Sequence, residues 1–321
     1  MDVHLRVSAV VTVRNEEATI GTLLQTLVGQ SLPPHEIVIS DGGSTDRTVE
    51  ILQQWIDRGA PIRLLHCPGT NIASGRNRAI ELATGDVIAC TDAGTRLHPE
   101  WLARIVAPIQ NGADVSMGFF IAEPRSLFEL ALGAAILPDV DEIQPERFIP
   151  SSRSIAFTRA AWCAVGGYPE WLDYCEDVVF DLALRRAGYR FAWAPDATVA
   201  YRPRTSLGAY FRQYYLYARG DGKANLWLRR HVVRYSTYVV APLVFVTGFW
   251  YNRAWLALLL GAGLYLYRPY RRLCRVLAGQ QPRDWVVAAA LVPILRVVGD
   301  VAKMTGYPVG VWWRLKHPRN G

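Results

Sequence analysis

Through the first hundred residues, short apolar runs alternate with longer stretches in which apolar positions recur every three or four residues. Arg6–Val13 (RVSAVVTV) reads as a buried strand, and behind it Ile20, Leu23, Leu24 and Leu27 fall on one helical face. His35–Ser40 is a second strand, followed by the turn DGGSTD and a helix carrying Val49, Leu52 and Ile56 inward. Ile62–Cys67, Ala73–Thr84 and Gly85–Asp92 give a third strand, a third helix and a fourth strand. Strand–helix alternation with short connections predicts an α/β fold, a mostly parallel sheet flanked by helices on both faces. Ligands of such sheets sit beyond the carboxyl ends of the strands. The polar turns fall there: Arg14-Asn15-Glu16, Asp41–Asp46, Asn71–Asn77 and Asp92–Arg96.

Further on, Ser151–Glu170 reads as a strand, a short helix and a Gly-Gly turn. Val178, Val179, Leu182 and Leu184 mark a helix headed by Glu176-Asp177. Acids in that position favour a helix N-terminus by about 0.3–1 kcal/mol, a reading that needs no chemistry. Leu207–Lys223 predicts an amphipathic helix rich in tyrosine. The pattern then changes. Tyr235–Tyr251 carries no charge, Asn252-Arg253 interrupts, and Ala254–Tyr267 is apolar again. Both runs fall short of the ~20 residues of a perpendicular span, so a shallow hairpin over 235–267 is expected. Arginines on both flanks place its ends on the cytoplasmic side. Asp284–Arg319 is apolar but carries Arg296, Asp300 and Lys303 on one helical face, with Trp312-Trp313 beside Arg314 and Lys316. That predicts an interfacial helix over about 284–316.

With 321 residues, of which 51% are hydrophobic, the chain can bury the core of one or two domains. Its net charge of +7 is unevenly spread: residues 1–201 hold 16 basic and 25 acidic side chains, residues 202–321 hold 19 and 3. A basic tail suits a polyanion. Apolar runs between its arginines point to an anionic membrane and exclude nucleic acid. The expected domains are 1–225, catalytic, and 226–321, membrane-associated. No secretory leader is read at the N-terminus. The five cysteines show no metal or disulfide spacing, which suits reduced thiols in the cytoplasm. No G-x-G-x-x-G follows the first strand and there is no P-loop, which argues against dinucleotide and P-loop ATP sites.

Taken in order, VVTVRNEE, SDGGSTDRT, GRNRAIELATGDVIACTDAGT, VGGY…ED and FRQYYLYARG resemble the inverting glycosyltransferases of family 2 with the GT-A fold, over roughly residues 5–222. The resemblance implies a nucleotide-sugar donor and a lipid-linked or envelope glycan acceptor at the inner membrane, with the catalytic domain cytoplasmic. It implies that Thr12, Asn15, Glu16, Asp41, Arg76, Asp92 and Arg96 serve the donor. Within that set Asp41 would meet the base, Arg76 would flank the nucleotide, and Asp92 would hold the ribose or a metal. Asp177 matches the general base; Arg153, Glu176, Gln213 and Arg219 would serve the acceptor and diphosphate.

Three departures matter. The family's Asp-x-Asp is here Asp92-Ala93-Gly94, and a frequent metal-binding His is replaced by Tyr201. Mg²⁺ or Mn²⁺ is therefore expected only through Asp92 and the donor diphosphate. Arg96 either neutralises that diphosphate or is a surface arginine after a turn. Gln213 stands in the region of Gln-x-x-Arg-Trp, but Leu216 and Tyr217 replace Arg and Trp, which speaks against processive synthesis. Two rival readings remain, a sugar-phosphate nucleotidyltransferase and a non-catalytic nucleotide-binding membrane protein.

Overall fold

The computed structural model describes residues 5–318; Arg319, the end of the third apolar segment, lies outside them, as do the outermost residues of both expected domains. In chain order the elements are β1 (Val7–Val13), α1 (Ile20–Val28), β2 (Glu36–Asp41), α2 (Thr48–Asp57), β3 (Ile62–His66), α3 (Ile72–Leu82), β4 (Val87–Asp92), β5 (Thr95–Leu97), α4 (Trp101–Gln110) and β6 (Val115–Ala122). They continue with α5 (Leu127–Ile136), β7 (Ile155–Thr158), α6 (Arg159–Ala164), α7 (Glu176–Arg186), β8 (Phe191–Tyr201), α8 (Leu207–Lys223), α9 (Leu228–Thr247), α10 (Arg253–Val276) and α11 (Pro282–Lys316). Contacts divide the chain into two compact units, residues 1–121 with 140–202, and residues 122–139 with 203–321. This division differs from a single cut near residue 225, because α5 and α8 belong with the C-terminal helices.

The first unit is built on an eight-stranded sheet of order β3-β2-β1-β4-β7-β6-β8-β5. The predicted parallel half is there: β1 pairs with β2 and β4, and β2 with β3. Beyond β4 the sheet turns antiparallel, through β4–β7, β6–β7 and β5–β8. A strand's apolar pattern is the same whichever way it runs, so the sequence carries no sign of this reversal. Both faces of the parallel half are buried, which explains its near-continuous apolar runs. Val11, Ile39 and Ala89 pack with Ile20, Leu23 and Leu27 of α1 on one face; Val10, Val38 and Ile88 pack with Ala79 and Ile80 of α3 on the other.

The second unit is helical. Its core joins Ala131, Leu132 and Ala135 of α5 to Tyr210 of α8, Leu273 of α10 and Val292 and Leu295 of α11. Helices α8 and α11 meet along a seam of small residues. A side chain at Gly306 or Gly310 would run into the backbone of Tyr215 or Arg219, and one at Gly222 into that of Tyr307. The spacing of Gly306 and Gly310 is the small-x-x-x-small pattern that lets two helix backbones approach.

The charged face of the third apolar segment does not turn to water. Asp300 is buried and accepts hydrogen bonds from Arg234 Nε at 2.8 Å and the Tyr265 hydroxyl at 2.6 Å. The Arg296 guanidinium lies over Tyr265 and the Lys303 ammonium over Tyr214. The physical ground for a surface-lying helix is thereby removed. Among the described residues α11 alone is long and apolar enough to cross a membrane by length and composition. By that measure α9 and α10 do not qualify.

Candidate functional site

The register of the parallel half sets the site's floor. Thr12 is level with Ser40 on β2 and Asp92 on β4, and Val13 is level with Asp41. The last residues of these strands therefore end at one edge. The Thr12 and Ser40 hydroxyls are buried with no hydrogen-bond partner among the described residues.

Asn15 and Glu16 form the turn after β1. Asn15 adopts a left-handed conformation, φ 55°, and its side-chain oxygen accepts from Thr45 N at 2.8 Å. The Glu16 carboxylate accepts from the Thr19 hydroxyl at 2.6 Å, and its carbonyl receives the amides that open α1. Asp41 is fully buried. Its carboxylate accepts from Gly43 N, from Ser44 N and Oγ, and contacts His66 Nδ1 at 2.9 Å. The residue sent to the donor's base by resemblance is thus engaged in holding its own turn.

The centre of the site is Arg76. Asn71 caps α3 by accepting from Ser74 N, and Arg76 lies little more than a turn further on, 1% exposed. Its guanidinium sits 4.8 Å from the Tyr168 ring centroid. One arm reaches Asp92 Oδ1 at 3.3 Å and the other Glu176 Oε1 at 3.1 Å. A single buried cation thus ties the end of β4 to the start of α7. Asp92 is held from its other side by Arg153, whose Nε stands 3.4 Å from Oδ2. Arg153 in turn lies over the Tyr201 ring at 4.8 Å and the Phe120 ring at 5.9 Å. The β5–β8 pairing sets Tyr201 opposite Thr95, which brings that ring beside the Asp92 turn.

Helix α7 brings three carboxyl groups. Cys175 precedes it in a left-handed conformation, φ 65°, and Glu176 and Asp177 form its first turn. Val178 N donates to Asp177 Oδ1 at 2.8 Å. Burial raises the Asp177 carboxyl above its ordinary range, opposed chiefly by the charge of Arg76. Burial, with the neighbouring Asp177 charge, pushes Glu176 up to about 7. Asp181, one turn beyond Asp177, was not anticipated. It is 1% exposed, neither carboxylate oxygen has a hydrogen-bond partner among the described residues, and burial raises its carboxyl well above the usual range. Its only signal in the sequence was a third acid at helical spacing from Asp177. Tyr168, the platform under Arg76, closes the VGGY motif, but its contact with Arg76 is not written there.

Not every candidate joins this cluster. Arg96 sits on β5 with its side chain exposed, while Thr95 and Leu97 point inward. Gln213 and Arg219 lie on α8, in the other compact unit, where Gln213 Nε2 donates to the Tyr217 hydroxyl at 2.9 Å.

The residues present do not fit a protein-made site for Mg²⁺ or Mn²⁺. A divalent ion needs several oxygen or nitrogen ligands. Here Asp92 stands alone, both of its oxygens face guanidinium groups, and Gly94 and Tyr201 add no carboxylate or imidazole. No cluster of three or more His, Cys, Asp or Glu suited to a metal occurs among the described residues. The expected ion is left with the donor's own diphosphate and no ligand set from the chain.

Comparison with known proteins identifies the family and the fold. The model of the family "Glycosyl transferase family 2" matches residues 8–160. Succinoglycan biosynthesis protein ExoA of Rhizobium meliloti (strain 1021) is 30% identical over 221 residues, covering 65% of this chain and 67% of ExoA. The lipopolysaccharide core biosynthesis glycosyltransferase LpsC of the same organism is 32% identical over 118 residues, 37% of this chain and 42% of LpsC. Among solved structures, the mannosyltransferase PcManGT of Pyrobaculum calidifontis, in complex with GDP-Man and Mn²⁺, is similar with a TM-score of 0.58 at 19% identity. That match covers 99% of this chain and 89% of PcManGT, and at such identity it speaks to the fold.

Proposed function

The chain belongs to glycosyl transferase family 2 and is a glycosyltransferase of GT-A fold, and we propose that it transfers a sugar with inversion from a nucleotide-sugar donor to a lipid-linked or envelope glycan acceptor. The observation that carries this reading is the bridge made by Arg76 between Asp92 and Glu176, with Asp177 next in the chain. A nucleotide-side carboxylate and an acceptor-side acid pair then share one cation. Inversion needs in-line attack by an acceptor hydroxyl, which is a poor nucleophile until a base takes its proton in the transition state. Asp177 is that base. Its raised carboxyl is a stronger proton acceptor than a free aspartate once ionised. Thr12, Asn15, Glu16, Asp41, Arg76, Asp92 and Arg96 serve the donor in this reading, and Arg153, Glu176, Gln213 and Arg219 the diphosphate and acceptor.

The acceptor is membrane-borne in this proposal, and the reaction faces the cytoplasm at the inner membrane. Exposed apolar side chains support it: Phe249, Trp250 and Tyr251 between α9 and α10 are 68–74% exposed, and Leu259 and Leu264 are 70% and 82% exposed. An apolar surface this extensive marks a membrane or partner contact. Helix α11 supports it by its length and hydropathy. The names of ExoA and LpsC support an envelope polysaccharide or lipopolysaccharide acceptor. The test is transfer from a panel of nucleotide-sugars to a bacterial lipid extract, with the product's anomeric configuration read by NMR. Inverted product supports the reading; retained configuration, or no transfer from any donor, contradicts it.

A further inference from the structure

The turn that carries Asp92 departs from a metal site in a definite way. A cationic side chain, and not a second ligand, stands against the carboxylate. The Arg153 Nε is 3.4 Å from Asp92 Oδ2, and its guanidinium is held over Tyr201 and Phe120. Those two rings meet edge to face, 5.9 Å apart, and form a corner for the cation. Arg153 remains 22% exposed and Asp92 28%, so a ligand can reach both groups. Packing does not explain the missing second acid. A Cβ at Gly94 would meet nothing within 4 Å, and its φ is not in the left-handed region. The chain has room for a carboxylate there and does without one.

We infer that the Arg153 guanidinium takes the place of the divalent ion, so that this enzyme binds and releases its nucleoside diphosphate without a metal. The inference rests on the transferase reading above. A guanidinium is planar, always protonated, and presents paired N–H donors that match two phosphate oxygens. It brings its charge covalently attached, whereas an ion held by one carboxylate would stay hydrated and lean on the diphosphate alone. In the transfer step the bond from the anomeric carbon to the diphosphate oxygen breaks as the acceptor oxygen bonds to that carbon. The bonding pair leaves with the diphosphate, where Arg153 meets the added negative charge, and the acceptor's proton passes to Asp177. Preorganised positive charge at a departing group is where an enzyme gains most from electrostatics. Asp92 orients Arg153, and the Tyr201 and Phe120 rings fix its plane.

The test uses the full-length, detergent-solubilised protein and calorimetric binding of UDP, GDP, CDP and dTDP, in 5 mM EDTA and again in Mn²⁺ or Mg²⁺. The diphosphate that binds should do so with less than about a threefold change in Kd between the two conditions, as one carboxylate offers a metal little. Arg153→Ala should weaken it at least tenfold, about 1.4 kcal/mol, while the matching nucleoside, which has no phosphate, binds as before. Arg153→Lys, which keeps the charge and secures the fold, should recover part of the loss. In Arg153→Ala combined with Gly94→Asp, binding should become dependent on Mn²⁺. Diphosphate binding by wild type only when metal is added would overturn the inference and leave the transferase reading standing. An Arg153→Ala protein that binds diphosphate like wild type would overturn it equally. Failure of every diphosphate to bind under both conditions would overturn the transferase reading itself.

Discussion

At the residue scale, four carboxyl groups and two arginines carry the account. Asp92 and Glu176 are each paired to Arg76, whereas the Asp181 carboxylate has no hydrogen-bond partner among the described residues. A carboxyl raised by burial favours the folded state below its unfolded pKa, about 4, and loses that contribution as pH climbs through its folded value. Asp181 therefore weakens the fold near neutrality. Asp181→Asn should gain melting temperature over wild type as pH rises from 4 to 8, in paired thermal scans; a constant difference would refute this. The same burial sets the pH profile of transfer. Because the Asp177 carboxyl is raised, the acidic limb of kcat should fall at a pH above that of a free aspartate, while donor affinity follows a different curve. Much of this site was legible. Arg76, Asp92, Glu176 and Asp177 stand in motifs whose order is informative. Asp181 was not legible, because burial distinguishes it and no motif marks it; Tyr168 closes the VGGY motif, but its place under Arg76 is a contact across the chain that no motif shows.

At the scale of elements, the first four strands and three helices could be read because each has one period and a short connection. Of the antiparallel half, β7 could be read as the strand within Ser151–Glu170, whereas β5, with three residues, is too short to show a period. The seam between α8 and α11 was hidden for another reason: its glycines look like ordinary breaks until two backbones are brought together. Filling it should be costly. Gly310→Leu is expected to destabilise the helical unit by about 1–3 kcal/mol, the usual cost of overpacking. Gly263→Leu, on α10 where a Cβ meets nothing, should cost far less. Melting of the two variants in detergent separates these cases, and equal losses would refute the seam.

For the whole molecule, charge and hydropathy were legible from the composition of the tail, but the division into units was not. Helix α5 lies far earlier in sequence and joins the C-terminal helices through its small apolar residues. Full-length protein should sediment with membranes and need detergent for release. Trp250→Glu, Leu259→Glu and Leu264→Glu together should shift it towards the soluble fraction, since charged groups resist transfer into hydrocarbon; unchanged sedimentation would argue against a hairpin immersed in lipid. The central claim is that one carboxylate at the head of α7 activates the acceptor for glycosyl transfer. Its most direct test compares wild type with Asp177→Asn, measuring donor affinity by calorimetry and transfer under saturating donor. The account predicts donor affinity within a few-fold of wild type and transfer reduced by about 10²–10⁴-fold. Near-wild-type transfer by a correctly folded Asp177→Asn protein would contradict it.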